Sequence, residues 1–396
     1  MALFSHSRGV CVSIVCFFLL KTGEMSTAKD FKLELVQVLF RHGARTCSES
    51  EAKLPMPAYV DQELHRALGY GQLTNVGKAQ AYELGRALRE RYDGFLGPRY
   101  RPEELHARST DYDRTKMTLQ LVLAGLYPLR AEQNWSADLA WMPIPFHYAP
   151  RELDVLLQSS EKPRYKRLLH DLLKSPGLRE QVAELMKFSE FFESKGIVAI
   201  KEYAFVACLG IFNVLNVHKS AGARLPDWYT EDLFAQLLEK VIEYFDIKSA
   251  TGELMKLGAG PLIKQFVRNM NLTGESSNPR KIYLYSGHEM NIAPFTRAHG
   301  IREFRYPDFA NAVVLEKLRD SENKIYVRML CWTGQGGFTP LKLGSFDEYC
   351  PVNEYLTIIE NIIPTDEEVD AMFNDRKLEL KEIFVSDFAF RPKYKQ

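Results

Sequence analysis

Residues 32–40 read KLELVQVLF and run without a break into RHGART. An apolar, branched run of this kind reads as a strand buried on both faces, and here it ends abruptly in charge. The same transition occurs twice more. A short strand over about residues 104–107 runs into RSTDYDRT, and IYLYS at residues 282–286 runs into GHEMN. Helical patterns separate them. One covers about residues 75–93, with Val76, Ala79, Leu84, Ala87 and Leu88 on its apolar side, Thr74 as its cap, and Gly94 and then Gly97-Pro98 to end it. Another covers about residues 113–126 and stops before Pro128. Residues 312–318 and 324–330 read as a hairpin in which Ile325, Val327 and Met329 alternate. Strands followed by helices predict an α/β sheet. In open sheets of that class ligands bind beyond the carboxyl ends of the strands, so three polar clusters at three such ends predict one site.

The middle of the chain, about residues 150–270, lacks strand alternation and shows helical patterns such as residues 231–245, so it reads as a mostly α insertion. At 396 residues and 46% hydrophobic, the chain suffices for one large core or two joined ones. Its formal net charge of +0 argues against a dedicated nucleic-acid binder, which needs a basic excess, and leaves room for a local basic site.

The first residues read as an export signal, about residues 1–25. Arg8 precedes the apolar run GVCVSIVCFFLL, which is shorter than the ~20 residues of a membrane span. Gly23, Ser26 and Ala28 put cleavage between about residues 22 and 28, and the alternative is a retained anchor helix. The final FVSDFAFRPKYKQ is too polar to anchor, so the expected mature protein is soluble and secreted. Cys47, Cys208, Cys331 and Cys350 remain after cleavage, and four cysteines allow three pairings. Cys331 with Cys350, closest in sequence, is the expected pair. Asn134 and Asn271 head glycosylation sequons.

The first cluster puts one imidazole, His42, between two guanidiniums, Arg41 and Arg45. Guanidinium forks match phosphate oxygens two bonds at a time. An imidazole among arginines resists protonation and stays nucleophilic. Gly43 lets the backbone turn tightly and approach a ligand. The pentapeptide also fits a basic surface loop with an incidental histidine. In the second cluster Arg108 stands at the strand end, where it meets the first cluster. Asp111 and Asp113 suit helix capping, and Arg114 suits an ion pair better than a phosphate ligand. In the third, His288 can donate to a phosphate oxygen and Glu289 can protonate a leaving alcohol. A His-Glu pair after a strand also fits an ordinary polar turn. There is no His-x-x-x-His zinc spacing, no Gly-x-Ser-x-Gly elbow and no Walker loop.

RHGART followed much later by HE resembles the histidine phosphatase superfamily in its acid phosphatase branch. GQLTNVGKAQAYELGRALRERY, RSTDYDRTKMT, WMPIPFHYAPRELDVLL and CPVNEYL are similar, in the same order, to segments of prostatic and lysosomal acid phosphatases. A secreted insect venom-type acid phosphatase is the nearer relative that this likeness implies. The resemblance covers about residues 32–362. It implies a phosphoglycerate-mutase-like α/β core, about residues 30–149 and 271–362, with a mostly α-helical cap at about 150–270 and a tail at 363–396. It implies His42 as nucleophile, Arg41, Arg45, Arg108 and His288 as phosphate ligands, and Glu289 as proton donor. No metal or organic cofactor is implied. The implied partners are a phosphate monoester and a second copy of the chain, with no nucleic acid and no stable membrane anchor. The implied location is extracellular or the lysosomal lumen. Two positions depart from the pattern: Cys47 stands where a proline usually closes the first motif, which puts loop rigidity in doubt, and Glu289 stands where the prostatic type has Asp. His147 falls in a matched segment, either at the pocket or packed as a structural residue. The competing readings are a phosphomutase-like transferase and a secreted binding protein or antigen that keeps the fold.

Overall fold

A computed structural model of the chain describes residues 30–52, 62–197, 204–274, 278–335 and 337–374. The expected export signal lies outside the described residues, as does the tail beyond residue 374.

One mixed sheet organises the molecule. Its strands are β1 (Lys32–Arg41), β2 (Leu105–Ser109), β3 (His147–Tyr148), β4 (Ile282–Gly287), β5 (Ala312–Arg319), β6 (Ile325–Trp332), β7 (Phe338–Leu341) and β8 (Cys350–Pro351). They lie in the order β3-β2-β4-β1-β5-β6-β7, with β8 paired to β6. β3, β2, β4 and β1 are parallel, and the β5–β6 hairpin adds an antiparallel half. β1 alternates as a doubly buried strand should. Val36, Val38 and Phe40 meet Leu84, Leu88, Leu119 and Leu123 of the helices Asn75–Leu96 and Asp113–Leu126 on one face. Leu35 and Leu39 meet Ile263, Phe266 and Phe295 of Gly260–Leu272 and Glu289–Ala298 on the other. Each such side chain contributes about 1.5–3 kcal/mol when fully buried.

Between β3 and β4 the chain is helical, as its pattern predicts. Pro163–Leu173, Arg179–Ser194, Ala204–Ser220, Glu231–Ile247 and Gly252–Gly258 enclose a second core around Tyr165, Phe192, Phe212, Leu237 and Phe245. Gly260–Leu272 leaves that cap and packs on the sheet. The cap's core continues into Ala44, Cys47, Ala293 and Phe309, so it reaches the loop after β1 without a gap.

The expected Cys331–Cys350 bridge is not made, and all four cysteines are buried thiols. Cys331 lies across β6 from Thr339 and Val313, whereas Cys350 lies across from Val327. Four strand positions separate them, roughly 13 Å at ~3.3 Å per residue, and a bridge needs Cα atoms within about 7 Å. Asn134 and Asn271 are both exposed.

Candidate active site

The strand order brings the three polar clusters together, because β2, β4 and β1 are adjacent and parallel. In register, Arg41 stands beside Gly287 and Ser109 beside Ser286. The backbone continues the pairing past the strand ends: His42 N donates to Gly287 O at 3.0 Å and Thr110 N to Ser286 O at 3.1 Å. The loop after β1 lies directly on the Asn75–Leu96 helix. A Cβ on Gly43 would come 2.1 Å from Gly77 O, so the glycine is required by the helix it touches rather than by a turn. Gly43 N donates to Thr118 Oγ1 and Ala44 N to Gln80 Oε1. Thr74 caps the helix through Gly77 N, as expected. The acidic cap expected of the next helix is absent: Tyr112 occupies that position without a side-chain bond, Asp111 pairs with Lys116, and Asp113 accepts from Gln72.

His42 is 1% exposed. Its Nδ1 lies 2.8 Å from Gly43 O, and a carbonyl only accepts, so Nδ1 carries the proton and Nε2 keeps its lone pair. Burial first, then the charges of Arg114, Arg41 and Arg45 and the neighbouring His288, holds the ring's pKa well below the usual histidine value. His288 lies 5.4 Å away, ring to ring, and the same influences depress its pKa. Its Nε2 is 3.1 Å from Thr110 Oγ1. Thr110 gives its own hydroxyl proton to Thr115, so it accepts from His288. That leaves His288 Nδ1 facing Arg114 Nη2 at 3.5 Å.

Three guanidiniums converge here. Arg41 is fully buried, with Nη1 on Tyr306 Oη and Pro307 O, and its Cζ lies 4.4 Å from the centre of the Phe309 ring. Its Nε stands 2.9 Å from Glu289 Oε2 without hydrogen-bond alignment. Arg45 is held two-pronged by Glu51 at 2.6 and 2.8 Å. Despite its burial, the Glu51 carboxyl is pulled down to about 2 by Arg45 and the Ser48 amide. Arg114 is the third, with a guanidinium lowered to about 10 by burial and by Arg45. The Nε atoms of Arg45 and Arg114 are buried without a hydrogen-bond partner, as is that of Arg108, while that of Arg41 faces Glu289. Buried donors left open in this way are rare and mark a place for an acceptor.

Arg108, expected in this set, is not part of it. On β2 it alternates away from Ser109, and its Nη2 donates to Asp154 Oδ1 at 2.8 Å. Arg114, five residues past the end of β2 and second in the following helix, is the arginine that reaches His288, with Nη2 3.5 Å from its Nδ1. The loop carrying Cys47 is fixed in a way proline would forbid: Cys47 N donates to His65 Nε2 at 3.2 Å. The thiol itself is pushed by burial up to about 12. His147 sits exposed on the edge strand, stacked on His106, away from the cavity.

The cluster opens into a cavity of about 950 Å³ whose walls include Arg45, Arg114, His288 and Glu289. His42, His288 and Glu289 present ligand atoms within 4.8 Å of one another, enough for a metal ion by spacing. Three surrounding guanidiniums repel a cation and attract an anion, so this set of donors fits phosphate rather than a metal. The Glu289–Ala298 helix points its amino end at the same spot, with His288 as its cap.

Comparison with known proteins agrees in sequence and shape. A family described as the histidine phosphatase superfamily, branch 2, matches residues 32–331. A venom acid phosphatase of Apis mellifera is 35% identical over 367 residues, covering 90% of this chain and 92% of its own. The lysosomal acid phosphatase of Homo sapiens is 28% identical, covering 86% and 81%. Among solved structures, the phytase from Citrobacter braakii superimposes with a TM-score of 0.64 at 18% identity, covering 84% of this chain and 98% of its own.

Proposed function

The chain belongs to branch 2 of the histidine phosphatase superfamily, and on that premise we propose that it is an acid phosphatase working through a phosphohistidine on His42. The observation that carries this is the state of His42: a buried, neutral ring with Nδ1 tied to Gly43 O, and the guanidiniums of Arg41, Arg45 and Arg114 around it. Phosphate monoester hydrolysis is the activity of this family. The residue roles are our assignment.

Arg41, Arg45 and Arg114 hold the phosphoryl oxygens, joined by His288 once the bound anion restores the proton on its Nδ1. His42 Nε2 attacks phosphorus in line as the ester P–O bond breaks. The transition state is loose, so fixed positive charge and alignment supply most of the acceleration. Glu289 gives its proton to the departing alcohol oxygen. Water then attacks the phosphohistidine, Glu289 takes a proton from it, the P–N bond breaks, and inorganic phosphate leaves. No step calls for a metal ion. Because the pKa of His42 is held low, its neutral form persists into acid solution, which is the physical basis of an acid optimum.

Export and residence outside the cell or in the lysosomal lumen are part of the same proposal. The apolar start of the sequence supports it, as does the likeness to venom and lysosomal enzymes. We also assign a homodimer. Its support is the edge of the sheet at β3, where Trp135, Leu139, Trp141 and Tyr148 are all exposed.

His42→Ala tests the mechanism. Acid-sensitive, base-stable phosphoenzyme should be trapped from the unchanged protein and be absent from the variant, with turnover lost and the circular dichroism spectrum retained. A fully active variant would rule out the covalent step.

A further inference from the structure

Two elements outside the phosphate clamp each put a buried carboxamide on the cavity wall. The helix Ala204–Ser220 lines the cavity with Val206, Leu209 and Asn213, spaced as one helical face. Asn216, on the next turn, donates to Asp308 Oδ1 at 3.3 Å, and that oxygen is 3.9 Å from Arg41 Nη1, so this face is tied toward the clamp. The second carboxamide, Gln158, ends a turn built on Asp154. Asp154 Oδ1 accepts from Leu156 N, Leu157 N and Arg108 Nη2. Asn291 then joins this turn to the reacting groups, giving Nδ2 to Leu157 O at 2.7 Å and taking His288 N on Oδ1 at 2.9 Å. Arg108 thus acts by holding the turn that carries Gln158.

Gln158 is 6% exposed and Asn213 7%. Both line the cavity, and neither amide is among the buried polar atoms left without a partner: with no side-chain bond to the described residues, they reach the solvent of the cavity. Water in the cavity satisfies these two amides, and a bound molecule's polar groups can take its place. A carboxamide both donates and accepts and asks for no charge, which suits hydroxyl groups.

The rest of the wall narrows the choice. Guanidiniums already cover the Tyr112 ring, with Arg151 at 3.7 Å and Arg114 at 4.4 Å from its centre. Lys248 lies 5.4 Å from the Tyr244 ring, which stacks on Phe205. Tyr70, on the same wall, is exposed but has the His65 ring 5.1 Å from its own. Outside the clamp the cations Arg151 and Lys248 face the exposed carboxylates Glu49, Asp113, Glu152 and Glu161. Glu161 is paired with Lys166, so a second phosphate on the substrate would meet mixed charge there rather than a second cluster of guanidiniums among the described residues.

We propose that Gln158 and Asn213 form a leaving-group subsite for a neutral, hydroxyl-rich alcohol, so that the preferred substrates are sugar or polyol monophosphates. This rests on the phosphatase reading above. Glucose 6-phosphate and hexyl phosphate both release a primary alcohol, but only the first carries further hydroxyls. With the full-length protein, kcat/KM for glucose 6-phosphate should exceed that for hexyl phosphate about tenfold or more, and inositol hexakisphosphate should be poorer than glucose 6-phosphate. Gln158→Leu and Asn213→Leu should each lower the glucose-to-hexyl ratio several-fold, and together about tenfold, the scale of losing hydrogen bonds to a substrate hydroxyl. Competitive inhibition by inorganic phosphate, which fills only the clamp, reports that each variant is folded. A ratio near one in the unchanged protein would overturn the subsite, as would a ratio that neither substitution alters. Absence of any turnover of p-nitrophenyl phosphate would instead overturn the phosphatase reading itself.

Discussion

At the scale of single residues the sequence is most informative where chemistry demands a side chain at a strand end. Arg41, His42, Arg45, His288 and Glu289 are all where a strand's last residue or the next few must lie, and the sheet converts that shared position into contact. Arg108 turns to Asp154 for a reason the strand period contains. A residue within β2 points to one face of the sheet and cannot also point past its end, whereas Arg114, in the first turn of the following helix, can. Of the two arginines in RSTDYDRT the nearer bonds Asp154 and the farther lies beside His288, a difference that the helix start expected at residue 113 already contains. Arg114→Ala should therefore slow hydrolysis by about 10²-fold or more, on the scale of losing a transition-state donor, and weaken inhibition by phosphate. Arg108→Ala should leave phosphate inhibition close to normal, and show its effect on substrates with large alcohols. Steady-state kinetics with phosphate as inhibitor separates the two, and equal loss of phosphate affinity in both variants would contradict the assignment.

At the scale of elements, the runs with strong periodicity are legible and the contacts between them are not. The helix expected over residues 231–245 is Glu231–Ile247, capped by Thr230 through Leu233 N. The 75–93 helix extends to Leu96, because Gly97 ends it rather than Gly94. Nothing local announces that Gly43 and Gly77, 34 residues apart, must touch backbone to backbone. Nor does it announce that Cys47 gives its amide proton to His65. That last bond yields a prediction opposite to the family pattern. Cys47→Pro removes the amide donor and leaves a buried acceptor, so it should destabilise the fold by about 1–3 kcal/mol. Cys47→Ala keeps the donor and should cost less. Urea denaturation of the three proteins measures the difference, and a more stable proline variant would show that ring stiffness outweighs the bond.

For the whole molecule, buried histidines make the empty protein sensitive to acid. His42 and His288 are held well below the ordinary histidine value, and His299, bonded to Phe295 O and Tyr355, is lowered to about 4 by burial. As pH falls below ~6.5 the unfolded chain takes up protons that these rings refuse, so stability drops until the folded values are reached. His299 alone accounts for about 3 kcal/mol of that loss. Glu51 opposes nothing in this window, since its stabilising charge persists until pH falls below 4.5 toward about 2. The melting temperature should therefore fall between pH 7 and pH 4. Added phosphate should shrink the fall, because an anion in the clamp restores the protonated His288. Scanning calorimetry with and without phosphate checks this, and a flat profile in the empty protein would contradict it.

The unbroken core linking the cap to Ala44, Cys47 and Phe309 has a further consequence. A roof nailed to the floor of the room cannot be lifted like a lid. Glu49 and Glu152 are exposed residues of the cavity wall, so substrate exchange is expected on that side without the cap swinging away. Damage anywhere in the cap's interior should therefore loosen the footing of the loop after β1, and the cap and that loop should melt in one step.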